Sequence, residues 1–275
     1  MSENVFLKKD TVQETMLGPL WARATQSQLY PKILKDPKAV EILEKIEYDF
    51  TEIKNHLGDW RGLGLLVRAK SLDDAVKKYL ETHPNATVIN IAAGLDTTFY
   101  RVDNGKVKWY DLDLPDAIEY RKQFLLETQR SKYISKSAFD YSWIDNIEYN
   151  SEDGIFFIAG GFFYYFSEEE VAMFFKTLAE HFPRGEIVFD CISKLASKIL
   201  NKRAKKVDSD LSISLGIGKP EKTILKWSNK LEIKEWFTMY ERTQLNPNWN
   251  KKILKWIKIS ERLKIAKIVH VKFLK

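Results

Sequence analysis

The chain has 275 residues, 44% of them hydrophobic, with 16 Phe, 12 Tyr and 8 Trp, which is ample material for a sizeable core and excludes disorder across most of its length. A single cysteine, Cys191, excludes an internal disulfide framework and a thiolate zinc site and fits a reducing, cytoplasmic setting; the four histidines (His56, His83, His181, His270) lack ligand spacing, so no metal centre is expected. The net charge of +6 is uneven, with +8 in residues 250–275 and −2 in residues 1–249.

Residues 1–10 lack the long apolar core of a signal peptide, and the most apolar run, 155–166, is too short to cross a bilayer. The expectation is a soluble protein with no membrane partner. Residues 11–80 read mostly as helix. Asp36 is a plausible N-cap with Pro37 at the first helical position, and Ser71-Leu-Asp-Asp74 is a capping signature before a further helix over 75–80. Pro84-Asn85 breaks the pattern, and Val88, Ile89 and Ile91 form a first buried strand.

Strands and helices then alternate. A strand over 107–114 is stopped by Pro115 and followed by a helix from about 116 to 127. A weaker strand covers 133–139, a strongly apolar one 155–159, and a helix opened by the capping box Ser167-Glu-Glu-Glu170 runs to about His181. A fifth strand covers 186–190, a basic helical insertion 194–215, and the last two strands fall at 237–242 and 265–273. The lysines of 250–265 interleave with Ile253, Leu254, Trp256, Ile257, Ile259, Leu263 and Ile265, which reads as an amphipathic helix with a solvated face more readily than as a nucleic-acid patch. The whole is expected to be one α/β domain with a doubly wound, mostly parallel seven-stranded sheet. Residues 1–80 form a helical cover, 85–193 the ligand-binding core, 194–215 the insertion and 216–275 the remainder of the core.

Such a sheet binds its ligand at the carboxyl ends of its strands. After the first strand the chain turns through Ala92-Ala93-Gly94, where the absence of a Cβ at Gly94 allows close backbone approach, and enters a segment with helical potential. With one glycine in place of G-x-G-x-x-G, a pyrophosphate site and a nicotinamide enzyme are disfavoured. An S-adenosylmethionine site needs no second glycine; an ordinary tight turn is the alternative. Asp111 and Asp113, two apart, point to one side of the second strand, where a carboxylate suits a ribose diol. Asp140 and Tyr141 follow the third strand, positioned to frame an adenine, and Gly160-Gly161 follow the fourth.

Four segments, 92–101, 109–116, 139–143 and 158–166, resemble the ordered motifs of the leucine carboxyl methyltransferase family, which includes tetracenomycin-type polyketide O-methyltransferases. The resemblance spans about 68–192 and implies a class I, Rossmann-like, S-adenosylmethionine-dependent methyltransferase. By position, Arg68 matches the arginine holding the methionine carboxylate, Ala92 and Gly94 the turn beside the methionine moiety, Asp113 the ribose acid, and Asp140 and Tyr141 the pair near the adenine. Gly160 departs from the family, which often has Glu there as a cofactor contact. The resemblance leaves the catalytic residue, the acceptor and the oligomeric state open. It implies a small-molecule or peptide acceptor with a carboxylate or hydroxyl. A catalytically inactive domain binding nucleic acid or protein through the basic C-terminus is the alternative.

Overall fold

Three helices precede the first strand in this computed structural model, which describes residues 12–204 and 213–275. They are α1 (Val12–Leu29), α2 (Pro37–Lys45) and α3 (Thr51–Thr82). The Asp36 carboxylate caps α2 by accepting from the Ala39 N–H at 3.0 Å, with Pro37 at the first position, as the sequence indicates. The expected start at Ser71 does not occur: α3 is continuous there, and the Ser71 hydroxyl donates instead to the Val67 carbonyl one turn back. The interruption of α3 lies at Gly58, whose φ of 54° is non-helical.

The sheet comprises β1 (Thr87–Ile91), β2 (Lys108–Asp113), β3 (Ser131–Ser135), β4 (Ile155–Ala159), β5 (Glu186–Ile192), β6 (Leu231–Thr238) and β7 (Ala266–Phe273). Their order is β3-β2-β1-β4-β5-β7-β6; the first five are parallel, and β7 runs antiparallel to both β5 and β6. β1 and β4 are buried on both faces along their whole length, which is why both read as unbroken apolar runs. The connecting helices are α4 (Thr98–Val102), α5 (Pro115–Lys122), α6 (Glu168–His181), α7 (Lys194–Ala204), α8 (Pro220–Ile224) and α9 (Lys251–Arg262). The Ser167/Glu170 capping box opens α6 as expected. Residues 1–11 and part of the predicted insertion, 205–212, lie outside the described residues, as does the Arg203 side chain.

β6 and β3 both begin earlier than the sequence suggests. The β6–β7 register shifts between Ile233 and Glu235, and a bulge there breaks the alternation that marks a strand. Phe139, read as the end of β3, instead belongs to the turn beyond it and packs on Phe166 with ring centroids 4.6 Å apart.

A buried ionic network clamps the three leading helices to the turn after β1. Arg101 of α4 grips Asp73 of α3 with two bonds, Nε–Oδ2 at 2.7 Å and Nη2–Oδ1 at 2.9 Å, and reaches Asp36 at 2.6 Å. Arg23 of α1 joins at Asp36 (3.2 Å) and donates to the Leu95 carbonyl (2.7 Å). Burial alone would raise the Asp96 carboxyl, yet the charges of Arg23 and Arg101 and the bonds from Thr98 hold it down at about 2. A carboxyl whose folded value lies below its unfolded value of about 3.9 contributes stability that is complete above pH 4 and lost as pH falls toward 2. Urea unfolding of Asp96→Asn should therefore lose on the order of 2 kcal/mol less than the parent between pH 5 and pH 2. Equal losses would show that Asp96 is not coupled to the network.

Candidate functional site

The carboxyl ends of β2, β1, β4 and β5 lie side by side in the sheet, with α1 against the turn after β1 and α3 against the turn after β4. The turn after β1 is held in an uncommon backbone conformation: Ala92 and Gly94 both have positive φ, 53° and 47°. At Gly94 a glycine is needed twice over, because a Cβ would also stand 3.0 Å from the Met16 side chain of α1. The turn is fixed from beneath by Arg121 of α5, whose Nη1 donates to the Gly94 and Asp96 carbonyls at 2.8 Å each and whose Nη2 pairs with Asp111 at 2.7 Å.

That pairing corrects the reading of Asp111. The side chain is fully buried, and Asn90 (2.9 Å), Trp109 (2.9 Å) and Arg121 occupy its oxygens, so it is a structural anchor with no face toward a ligand. Asp113 differs. One of its oxygens accepts from the Gly94 N–H (2.7 Å) and the other from the Leu114 N–H (2.8 Å), and the side chain reaches the rim beside the turn. Burial pushes its carboxyl up, against the pull of those two N–H groups. Each oxygen retains a lone pair, which is the capacity a vicinal diol requires.

Arg68 projects from α3 over Gly160 and Gly161. It is buried, yet its shortest side-chain contacts among the described residues are long: 3.5 Å to the Tyr164 hydroxyl and 3.6 Å to Asp190. A guanidinium carries five donors, so most of this one's capacity is unused among the described residues. The glycines make room for it. A Cβ on Gly161 (φ 80°) would lie 2.7 Å from an Arg68 nitrogen, and one on Gly160 would lie 3.0 Å from Leu72. Asp190, two residues before the end of β5, accepts from the Gly161 N–H at 2.6 Å and faces Arg68; the sequence reading did not single it out. Its position as the last residue of the strand expected over 186–190 was the available signal. Tyr164 and Tyr165 flank the pair, and burial raises both phenols, so neither is a base at neutral pH.

Asp140 and Tyr141 lie in the turn beyond β3. Asp140 is exposed and caps the 3-10 turn Tyr141–Asn146, accepting from the Ser142 N–H (3.2 Å) and hydroxyl (2.7 Å), while Tyr141 packs near Phe174 at 6.2 Å between centroids. Their loop leans on the loop after β4 through Phe139 and Phe162 (5.9 Å). His181 is exposed at the end of α6, and His270 is buried against Glu186 at 2.8 Å. Among the described residues no cluster of three or more His, Cys, Asp or Glu forms a metal site, and no helix is long and apolar enough to cross a membrane.

The family model described as leucine carboxyl methyltransferase matches residues 16–179, more than half of the chain. The tetracenomycin polyketide synthesis O-methyltransferase of Streptomyces glaucescens is 31% identical over 182 residues, which cover 66% of this chain and 66% of that protein, just under two thirds of its length. Among solved structures, a candidate methyltransferase of Thermobifida fusca superposes with a TM-score of 0.61 at 12% identity, covering 82% of this chain and 89% of its own. A DUF574 family protein of Streptomyces avermitilis gives 0.60 at 11% identity, covering 93% and 97%. At such identities these two likenesses bear on the fold alone.

Proposed function

The chain belongs to the leucine carboxyl methyltransferase family, and from that premise we propose that it is an S-adenosylmethionine-dependent O-methyltransferase for an acceptor bearing a carboxylate or an acidic hydroxyl. The observation that carries this reading is Arg68, a buried guanidinium with unused donors beside a glycine turn. That is the group a methionine carboxylate requires, because a charge-assisted, bidentate bond is available there and water is not a strong competitor. S-adenosylmethionine, when bound, supplies a methyl group on an electrophilic sulfonium.

The chain's own residues then have separable tasks. Arg68 takes the carboxylate of the cofactor's amino-acid end, and Asp190, 3.6 Å away, takes its ammonium. Asp190 thereby supplies from β5 the negative charge that Gly160 does not supply from β4. Asp113 accepts from the ribose hydroxyls, and the backbone at Ala92 to Gly94 provides the floor. Tyr164 and Tyr165 wall the side toward α7, whose following segment is tied to them by bonds from the Ser214 and Leu215 N–H groups to the Tyr164 carbonyl (2.8 and 3.1 Å). Transfer is an in-line displacement, so the protein's contribution is alignment and exclusion of water. With His270 engaged by Glu186 and both phenols protonated, an acceptor already ionised at neutral pH fits best, since it needs no proton removed.

Calorimetric titration with S-adenosylmethionine and its demethylated product tests the reading. The parent should bind both, and Asp113→Ala, with its melting temperature recorded alongside, should bind about 10- to 150-fold more weakly, the effect of losing about 1.5–3 kcal/mol of bonding to a charged acceptor. A folded parent protein that binds neither compound would remove the proposal.

A further inference from the structure

α9 has two unlike faces. Ile253, Ile257 and Ser260 are buried against the core, while Lys251, Lys255, Lys258 and Arg262 fall at i, i+4, i+7 and i+11 on the opposite side and are exposed. The row is about 16 Å long. Among the described residues none of these four cations forms an ion pair; the helix's one acid, Glu261, turns inward to the Tyr240 N–H and the Thr238 hydroxyl. Like charges spaced this way repel, and the first turn of α9 holds no acid to balance the helix dipole. Only Arg262, in the last turn, is favoured by the helix dipole; the other three cations of the row give the fold no such support.

An apolar flank runs beside it. Trp256 is 51% exposed, leaning on Trp60 at 5.9 Å, and Leu263 is 47% exposed, with Ile259 between them and Lys252 adjoining. Because residues 1–249 sum to −2, the positive charge of the molecule is concentrated at this end. Exposed indole and leucine beside a lysine-dominated row suit an interface of acidic headgroups and acyl chains. Base-reading surfaces use side-chain amides and several arginines, and this face has no amide and a single arginine.

We propose that the outward face of α9 docks the protein on an anionic phospholipid surface, with Lys251, Lys255, Lys258 and Arg262 against the headgroups and Trp256 and Leu263 at the acyl boundary. No described helix can cross a bilayer, so the contact is peripheral, and it departs from the sequence expectation of no membrane partner. Nothing in it depends on the proposed enzymatic activity.

The full chain is sedimented with vesicles of phosphatidylcholine alone and of phosphatidylcholine with about one third phosphatidylglycerol, at about 0.05 and 0.3 M salt. The expected result is binding to the anionic vesicles only, weakened by salt. The double charge reversal Lys255→Glu/Lys258→Glu should lower it at least about tenfold. Comparison with Trp256→Phe should show a blue-shifted emission contribution from Trp256 on binding. The charge-reversed variant should keep the parent's melting temperature and S-adenosylmethionine affinity, since neither lysine touches the cofactor site. Equal binding to both vesicle types, no binding, or binding untouched by the reversal overturns the proposal. So does tighter binding to random duplex DNA than to anionic vesicles at the same salt, which would assign the face to nucleic acid.

Discussion

Arg101→Ala is expected to destabilise the protein by about 3–5 kcal/mol, a melting-temperature drop on the order of 10 °C. The reason is what the substitution leaves behind. Asp73 and Asp36 are both buried, and Arg101 bonds to the two of them and lies 3.9 Å from Asp96. Removing the guanidinium leaves Asp73 buried without an ion-pair partner, to be charged alone or protonated, and leaves Asp36 with Arg23 as its one remaining cation; either route is costly. Arg101→Lys should lie between parent and alanine, because one ammonium cannot reproduce the two-pronged grip on Asp73. Arg130→Ala is the control. Its partner Asp103 is partly exposed, and a surface pair of that kind contributes under about 1 kcal/mol. If Arg101→Ala costs no more than Arg130→Ala, the network does not clamp the helical cover to the β1 turn.

Arg68→Ala should weaken S-adenosylmethionine by about 10- to 150-fold, the loss of one charged, hydrogen-bonded partner. Methylthioadenosine, which carries the adenosine and sulfur but no amino-acid end, separates the possible causes. Its affinity should be the same for parent and variant, because Arg68 faces Gly160 and Gly161 and not the rim at Asp113. Asp190→Asn should follow the same pattern with a smaller loss, since the amide keeps an acceptor for the Gly161 N–H while discarding the charge. If both ligands weakened together, Arg68 would be supporting the shape of the pocket and not recognising a carboxylate.

What the sequence determined was carried by short-range signals. Apolar runs marked β1 and β4, the Ser167/Glu170 box opened α6, Asp36-Pro37 opened α2, and the spacing of Ile253 and Ile257 among lysines marked α9. Each depends on residues within a turn or two of one another, where backbone bonding and local burial decide the outcome. The strand-end positions likewise marked Gly94, Asp113 and Gly160, and the family resemblance marked Arg68.

Only the tertiary structure decided what each polar group faces. Asp111 and Asp113 share one side of β2, yet Asp111 is sealed beneath the turn by Arg121, from α5, and Asp113 reaches the rim. Asp190 meets Arg68 across 122 positions of chain, and Asp36, Asp73 and Arg101 meet from three helices. Ser71 shows the converse: its local signal favours a helix start, but packing of α3 across the sheet carries the helix through. The physical reason is common to all of these. A charge is stable in the interior only with a partner, and partners distant in sequence are brought together by the fold, so no local pattern can name them.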